Sequence, residues 1–381
     1  MPPKQPQAGK WVKCLEGYKA YIPDPLPPDI RWTTRLTQAL SRADHLVGRL
    51  AGEAGSLPNP HVFIRPFIRR EAVLSSRIEG TQSTLGEILA VEAGAVVDRS
   101  PEDLKEVGNY VTALEYGIKR LKRLPLSLRL IREIHEKLMK GVRGEVSTPG
   151  KFRTMQNWIG PPGCTLNEAT FVPPPPHELM NCMGALEKFL HASDLPPLVQ
   201  IALAHYQFET IHPFVDGNGR VGRLLISLFL VERQLLPTPL LYLSAFFESD
   251  RNKYYDGLRA VSESGDWEAW LTYFLSGVAQ QAEDGLLRAE RINKLISDWR
   301  KKVQSSSLKS APMLIDLLVS NPYITANKAS KELKIAFTTA QRAIERLEKM
   351  KILTKIGKKK RDKTYCARAL LRILEEPSTI R

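Results

Sequence analysis

The sequence has few cysteines, no long apolar run and no apolar stretch at its start. Its four cysteines lie far apart without the paired spacing of zinc ligands, which predicts free thiols in a reducing cytoplasm: Cys14, Cys164, Cys182 and Cys366. The opening residues, MPPKQPQAGKWVK, lack the apolar core of a secretory signal. The apolar runs are far too short to span a bilayer, so no membrane partner is expected.

Length and composition are those of a folded protein with more than one domain. At roughly 150 residues per domain, the 381 residues predict two or three domains. An apolar fraction of 43% and a charged fraction of 25% exclude a disordered or collagen-like chain. We place the domains at 1–110, 111–300 and 306–381.

Positive charge is concentrated at the C-terminal end. The net charge is +14, and residues 301–381 hold 19 Lys and Arg against 7 Asp and Glu, which is +12. The remaining 36 basic and 34 acidic residues leave +2 for residues 1–300. This asymmetry indicates a polyanionic partner for the C-terminal domain alone.

Apolar residues recur at three- and four-residue steps from Trp32 onward, which predicts a mainly α fold. The Pro-rich opening 30 residues predict extended chain over the surface. The stretch PFIRREAVLSSRIEG predicts a helix that Gly80 ends. Further helices are predicted at 84–92, 127–140, 177–191, 197–211, 219–235 and around 251–300.

Two short β-like pieces, 156–159 and 170–172, lie within a Gly- and Pro-rich stretch and predict a small β-hairpin or flap. The alternative is a Pro-rich surface loop. After a Ser-rich linker at 305, three helices and two strands follow at 311–319, 325–333, 338–350, 352–356 and 363–367. That order predicts a winged-helix (α+β) domain with a basic wing.

The segment HPFVDGNGRVGR, residues 212–223, joins two apolar helices. Gly217 and Gly219 allow the backbone to approach a ligand closely. Asn218 is a good N-cap for the following helix, whose free N–H groups suit an anion. Arg220 and Arg223 project from the first turns of that helix and add two cations suited to phosphate oxygens.

Two further residues of the segment complete a site for phosphate chemistry. Asp216 is an isolated carboxylate of the kind that holds Mg²⁺ beside phosphates, and His212 is a candidate general base. The segment is neither a Walker loop nor a zincin motif, because no Lys-Ser/Thr follows the glycines and no Glu follows the histidine. These residues favour phosphoryl or nucleotidyl transfer.

HPFVDGNGRVGR resembles the signature of Fic-domain proteins, His-Pro-Phe-x-Asp/Glu-Gly-Asn-Gly/Lys-Arg-x-x-Arg, without departure. The resemblance implies a Fic helical core and a protein adenylyltransferase, which moves AMP from ATP to a Ser, Thr or Tyr hydroxyl of a protein, itself included. It implies that 111–300 is the catalytic core. A homodimer is also compatible with it.

The resemblance also implies a role for each site residue. His212 would deprotonate the target hydroxyl, and Asp216 would hold Mg²⁺ against the α- and β-phosphates. Asn218 would form an anion hole with the backbone of Gly217 and Gly219. Arg220 would contact the pyrophosphate, and Arg223 would contact the γ-phosphate. The flap would dock the target segment by strand pairing.

The adjacent Tyr254 and Tyr255 resemble the aromatic pair beside the adenine pocket of Fic proteins. Two tyrosines on an amphipathic helix are equally typical of a hydrophobic core, so both interpretations stay open.

The segment Ser75-Ser-Arg-Ile-Glu79-Gly80 resembles the inhibitory motif that some Fic proteins carry N-terminal to the core. Ser75 and Glu79 are four residues apart and share one helix face. A carboxylate at that helix end is able to pair bidentately with Arg223 and so to take the cation meant for the γ-phosphate. The alternative is a solvated Glu79 before a C-cap glycine.

Three functions remain open beside autoinhibited AMP transfer. They are removal of AMP, transfer of another nucleotide, and a DNA-binding regulator whose Fic core senses a nucleotide. The predicted third helix of 306–381 presents Thr339, Gln341, Arg342 and Arg346, which suit a DNA major groove. A protein-binding winged helix would explain the same pattern.

Overall fold

The structure is a computed structural model that describes residues 8–14, 17–56, 60–142, 148–161, 163–304, 310–357 and 363–378. These residues are mainly helical, which confirms the mainly α part of the predicted fold class. The central body contains eleven helices within the described ranges: α1 (Thr34–Ser56), α2 (Pro60–Ile78), α3 (Leu85–Glu92), α4 (Pro101–Leu121), α5 (Leu128–Leu138), α6 (Pro176–Leu190), α7 (Pro197–Ile211), α8 (Asn218–Glu232), α9 (Ser244–Ser249), α10 (Arg251–Ser264) and α11 (Trp267–Gln304).

Local sequence signals set several helix ends. Thr84 and Glu87 form a capping box at the start of α3, in which the Glu87 carboxylate accepts from Thr84 N at 2.8 Å. Pro101 occupies the first turn of α4, where its missing N–H costs nothing. Gly80 has a φ of 99°, a left-handed conformation that ends the α2 segment.

Helix α7 forms the centre of the core. Nearly all of its residues are buried, as expected of a helix that is apolar on every side. It packs against α8, and α8 in turn contacts α4 and α5. Because two buried helices flank residues 212–217, that connecting segment is held rigidly between them.

Residues 9–13 and 19–23 form two paired strands that the Pro-rich composition of the opening residues did not predict. Strand β1 (Gly9–Lys13) pairs antiparallel with β2 (Lys19–Pro23). The N–H of Tyr21 donates to Val172 O at 2.9 Å, and the buried Tyr21 ring lies 5.8 Å from that of Phe171. The segment is extended, as predicted, but it is also paired into two strands that contact the flap through aromatic rings.

The predicted flap is smaller than a two-stranded hairpin. Ile159 and Phe171 form one isolated antiparallel bridge, with N···O distances of 2.8 and 3.0 Å. A short 3₁₀ helix, Leu166–Glu168, lies between them. Prolines at 173–176 lack an N–H and cannot extend the ladder.

The C-terminal region contains α12 (Ser310–Ser320), β3 (Tyr323–Thr325), α13 (Ala326–Leu333), α14 (Phe337–Lys349), β4 (Thr354–Ile356), β5 (Thr364–Cys366) and α15 (Arg368–Glu375). The strands form an antiparallel sheet of order β3-β5-β4. The predicted helices and strands are present, and α15 was not predicted. The linker at 305–309 and most of the basic wing, 358–362, lie outside the described residues.

The C-terminal region packs on α2, α3 and α11. Asn321 Nδ2 donates to Leu89 O at 2.9 Å, and Glu375 Oε1 accepts from Gly86 N at 2.9 Å. All four cysteines are free thiols, as predicted. None of the helices in the described ranges combines the length and apolarity needed to cross a membrane.

Candidate active site

His212 lies where α7 ends, in a left-handed conformation with φ 51°. Its Nδ1 is 3.2 Å from Glu209 O, a partner that can only accept, so we assign the proton to Nδ1. Nε2 is then left with a free lone pair. Burial lowers the pKa of His212 to about 4, so the ring is neutral at pH 7. A neutral ring with an open Nε2 can accept a proton.

Asn218 closes the connecting segment on itself. Its Oδ1 accepts from Phe214 N and its Nδ2 donates to Phe214 O, each at 2.8 Å. The prediction that Asn218 is the N-cap of the following helix is wrong, because α8 begins at Asn218 and Gly217 holds the cap position with φ 80°. Since its side chain is occupied in shaping the loop, the first-turn N–H groups of α8 face outward without intrahelical acceptors.

His135, on α5, contacts the loop formed by residues 212–217. Its ring stacks on Phe214 with centroids 3.7 Å apart. Its Nε2 lies 3.0 Å from Asp216 O, and its Nδ1 accepts from Gly150 N at 2.9 Å. Burial lowers the pKa of His135 to about 4, so the neutral ring is a structural support.

Arg153 and Asn157 hold the loop from the flap side. The Nε of Arg153 and the Nδ2 of Asn157 donate to His212 O at 3.0 and 3.2 Å. Asn157 also donates to Phe214 O at 2.9 Å. The flap and the loop are therefore one hydrogen-bonded unit.

Arg220 is buried with part of its hydrogen-bonding capacity unused. Nη2 is 3.6 Å from Asp216 Oδ1 and Nη1 is 3.5 Å from Glu106 Oε2. Nε has no hydrogen-bond partner in the part of the chain that the structure describes. A buried guanidinium with spare donors at a helix N-terminus fits an anionic ligand.

Arg223 is bound by the helix α2 segment. Its Nε donates to Ser75 Oγ at 2.9 Å, and its Nη2 donates to Ser75 O at 3.0 Å and to Glu79 Oε1 at 2.6 Å. Glu79 therefore engages one guanidinium nitrogen instead of the predicted two, because Ser75 occupies Nε. A Cβ on Gly219 would overlap Glu79 Oε1, so the glycine leaves room for this carboxylate.

The charges around Arg223 are strongly coupled. Burial alone would raise the pKa of Glu79, but the charge and hydrogen bond of Arg223 bring it below its usual value. Glu209 has no such hydrogen bond, and burial raises its pKa to about 7. Its Oε1 is buried without a hydrogen-bond partner among the described residues. Arg223 thus faces one ionised carboxylate and one that titrates near neutrality.

Asp216 is the carboxylate available for a cation. Its side chain is 48% exposed, and Oδ1 accepts from Gly217 N at 2.6 Å. Among the described residues no three His, Cys, Asp or Glu side chains form a metal-binding group. A single exposed carboxylate fits Mg²⁺, which takes one or two carboxylates together with phosphate oxygens and water.

The structure separates the two predicted adenine-side residues. Tyr254 is buried, with its hydroxyl 2.9 Å from His205 Nε2, so it belongs to the core. Tyr255 is 46% exposed, and burial of its hydroxyl region, then the negative charge of Glu79, raise its pKa to about 12. Only Tyr255 is therefore available to a ligand.

The structure brings residues 212–223 together with Ser75, Glu79 and Gly80, as the sequence predicts. Sequence reasoning missed the four residues that shape this site, His135, Arg153, Asn157 and Glu209. The available signals were a histidine on the apolar face of SLRLIREIHEKLMK and the polar residues of KFRTMQN. Neither signal predicts which residues these side chains contact, because Arg153 and His135 each reach a residue more than fifty positions along the chain.

Comparison with known proteins agrees with this geometry. Residues 37–119 match the Fic/DOC family N-terminal region, and residues 125–230 match the Fic/DOC family. Relatives named protein adenylyltransferase Fic from Drosophila yakuba and Drosophila virilis are 31% and 32% identical over 192 residues, 49% of this chain. The match spans only 35% and 36% of those relatives.

Solved structures share the fold. A Fic family protein from Desulfovibrio desulfuricans G20 has a TM-score of 0.59 at 20% identity, over 90% of this chain and 98% of that one. Fic-1 from C. elegans has a TM-score of 0.53 at 22% identity, over 67% of this chain and 74% of that one. The chain therefore contains the N-terminal region of the Fic/DOC family at 37–119 and a Fic domain at 125–230, in which the HPFVDGNGRVGR loop lies.

Proposed function

We propose that this protein is an autoinhibited adenylyltransferase that moves AMP from Mg²⁺-ATP to a Ser, Thr or Tyr hydroxyl of a protein. The observation that carries the proposal is the neutral His212, whose Nδ1 lies against Glu209 O, on the short loop that leads into the N-terminus of α8. The base His212, the anion site at the N-terminus of α8 and the guanidinium of Arg220 all lie within one short segment. Phosphoryl chemistry needs such positioning.

The proposed step is a single displacement at the α-phosphorus. His212 Nε2 takes the proton of the target hydroxyl, whose oxygen forms the new P–O bond. The bond to the β-phosphate oxygen breaks, and pyrophosphate leaves with that electron pair. The first-turn N–H groups of α8 hold the α-phosphate oxygens, and Arg220 compensates the charge on pyrophosphate. Bound Mg²⁺, held by Asp216, would supply further charge neutralisation on the phosphates.

Glu79 inhibits this step in the proposal. Its hydrogen bond to Arg223 occupies the cation that would bind the γ-phosphate, and its own charge repels that phosphate. ATP would then bind with its α-phosphate out of line.

The flap is proposed to dock the target. Ile159 and Phe171 already form one backbone pair, and Trp158 beside them is 42% exposed. An extended segment of the target would add to this backbone by strand pairing, which places its hydroxyl near His212.

We propose a DNA-binding winged helix at 306–381 as a second function. Exposed Arg342 and Arg346 lie on α14, the proposed recognition helix, and residues 301–381 carry a net +12. In this second function, the Fic core would sense a nucleotide for a regulator. An intact base at His212 favours chemistry over sensing alone.

The test is incubation with α-³²P-ATP and Mg²⁺ of the wild type, Glu79→Gly and Glu79→Gly/His212→Ala. We expect weak label on protein in the wild type, at least tenfold more in Glu79→Gly and none with His212→Ala. Glu79→Gln is the matched variant that separates the effect of the charge from that of the side-chain volume, because it removes the first and keeps the second. Label that is equal in all proteins would contradict both the base and the inhibitory role.

γ-³²P-ATP serves as a second label for the same proteins. Label from the α-position but not from the γ-position identifies AMP as the group moved. Loss of label from AMP-modified protein, catalysed by the wild type and not by Glu79→Gly, would identify removal of AMP as the main reaction instead.

A further inference from the structure

A cleft of about 400 Å³ lies behind α2, between that helix, α9, α11 and the C-terminal segment around Leu374. Four residues of α2 line it, spaced i, i+3, i+4 and i+7 along one helix face: Arg70, Val73, Leu74 and Arg77. Ser75 lies on the opposite face, where it holds Arg223. The helix that carries the inhibitory contact thus forms one wall of the cleft.

The cleft contains a buried guanidinium with too little negative charge around it. Arg70 is 8% exposed, and its ion pair with Asp284 spans 3.9 Å. Asp284 already accepts from Arg288 at 2.6 and 3.0 Å. Two arginines therefore share Asp284. Burial and repulsion from Arg288 lower the pKa of Arg70 to about 10, against the attraction of Asp284 and Glu71. A buried cation of this kind favours an added anion.

A second buried donor lines the same cleft. Gln281 is 5% exposed, and its Nε2 has no hydrogen-bond partner in the described ranges. The acidic residues of the cleft are already engaged, since Glu248 lies 3.4 Å from Arg251 and Glu375 accepts from Gly86 N at 2.9 Å. One buried amide donor without a partner, beside a guanidinium whose ion pair spans 3.9 Å, suits an oxyanion.

The rest of the lining is apolar and includes Val73, Leu74, Phe246 and Leu374. We propose that the cleft binds a small molecule with a carboxylate or phosphate head, held by Arg70 and Gln281, and an apolar body. We further propose that its binding strengthens inhibition, a part that rests on the proposed function. Because α2 is a wall of the cleft and carries Ser75, a ligand held between α2, α9 and α11 would favour the position of α2 that orients Arg223 toward Glu79.

The binding test uses octanoate and octyl phosphate on the full chain, with 1-octanol as the uncharged control. A ligand of the folded state raises the melting temperature with concentration. We expect both anions to do so and octanol to bind at least tenfold more weakly. The better of the two anions identifies the head group.

Variants locate the site. Arg70→Gln and Gln281→Leu should each weaken octanoate binding at least tenfold. Arg69→Gln should not, because the guanidinium of Arg69 pairs with Glu92 outside the cleft. Circular dichroism and the melting temperature without probe establish that each variant is folded. Equal binding of octanol, no concentration-dependent shift, or binding unaffected by both cleft variants would overturn the site.

The regulatory part is measured in two ways. Octanoate should slow hydrogen exchange of backbone amides at residues 75–82, a readout that needs no catalysis. It should also lower AMP label at least threefold in the wild type and leave Glu79→Gly unchanged. Binding without slower exchange overturns this part. Absence of label even in Glu79→Gly contradicts the proposed function, while the exchange result still decides the coupling.

Discussion

Ser75 and Arg223 are joined by a hydrogen bond of 2.9 Å between Oγ and Nε, which ties the guanidinium to the helix that ends one residue before Glu79. The same helix segment supplies the Ser75 carbonyl and the Glu79 carboxylate to Nη2. Arg223 is therefore oriented by two residues, and the contact with Glu79 depends on a hydroxyl that carries no charge.

Ser75→Ala should loosen the inhibitory contact. A hydrogen bond to a charged group contributes about 1.5–3 kcal/mol, so we expect AMP label to rise about tenfold above the wild type. Ser76→Ala is the matched control, because that buried hydroxyl has no hydrogen-bond partner among the described residues. If both variants label alike, Ser75 does not orient Arg223.

Arg223→Ala should abolish label even in the Glu79→Gly background, since the γ-phosphate then lacks its cation. Arg223→Lys should recover only part of the rate, because an ammonium cannot keep the forked contacts to Ser75. Label is measured at increasing ATP concentration. Full activity of the Glu79→Gly/Arg223→Ala protein would show that another group binds the γ-phosphate.

Glu209 should make stability depend on pH. Burial raises its pKa from 4.5 in the unfolded chain to about 7 in the fold. The folded state then holds a proton that the unfolded state has lost, so this contribution is fully present below about pH 4.5 and is lost as pH rises to about 7. At 1.36 kcal/mol per pKa unit, its size is at most about 3 kcal/mol.

Glu209→Gln removes this titration while keeping the side-chain shape. We expect the variant to have a larger free energy of unfolding than the wild type above pH 7 and an equal one near pH 4.5. Urea unfolding at several pH values measures this difference. The positive charge of Arg223 and the negative charge of Glu79 both act on Glu209 and stay in place in this comparison. Parallel pH curves for the two proteins would refute the buried, proton-bearing carboxyl.

His135→Phe should lower AMP transfer more than stability. A phenyl ring keeps the stacking on Phe214 but loses the hydrogen bonds to Asp216 O and Gly150 N. The loop would then be packed but not oriented. We expect at least a tenfold fall in kcat in the Glu79→Gly background, with the KM for ATP and the Tm less affected. The control is His135→Gln, which retains a hydrogen-bond donor and should recover part of kcat.

Arg342→Ala and Arg346→Ala should weaken DNA binding and flatten its salt dependence. Each lost phosphate contact lowers the slope of log K against log salt by about 1. Glu345→Gln on the same helix is the control and should not weaken binding. Fluorescence anisotropy with a labelled duplex at several salt concentrations measures both quantities; the same affinity for all variants would exclude α14 as the DNA-binding helix.

Local patterns in the sequence were enough to predict the helices of the body and the loop that joins α7 to α8. The predicted helix at 197–211 matches α7 at both ends. A proline at its first position and a long apolar stretch after it were enough to predict this helix. The anion site follows likewise from glycines and arginines at fixed offsets from one helix start. The β1–β2 hairpin was missed because its order depends on aromatic contacts with Phe171, about 150 residues away.

The sequence by itself predicted which residues would hold phosphate, which would take a proton and which carboxylate would oppose them, because each proposed role rests on residue type and short spacing. Only the tertiary structure decided that Ser75 shares Arg223 with Glu79, that Tyr254 is core while Tyr255 is exposed, and that Asn218 closes the loop instead of capping α8. Those outcomes depend on burial and on competition for hydrogen-bond partners from distant segments, which no local pattern encodes.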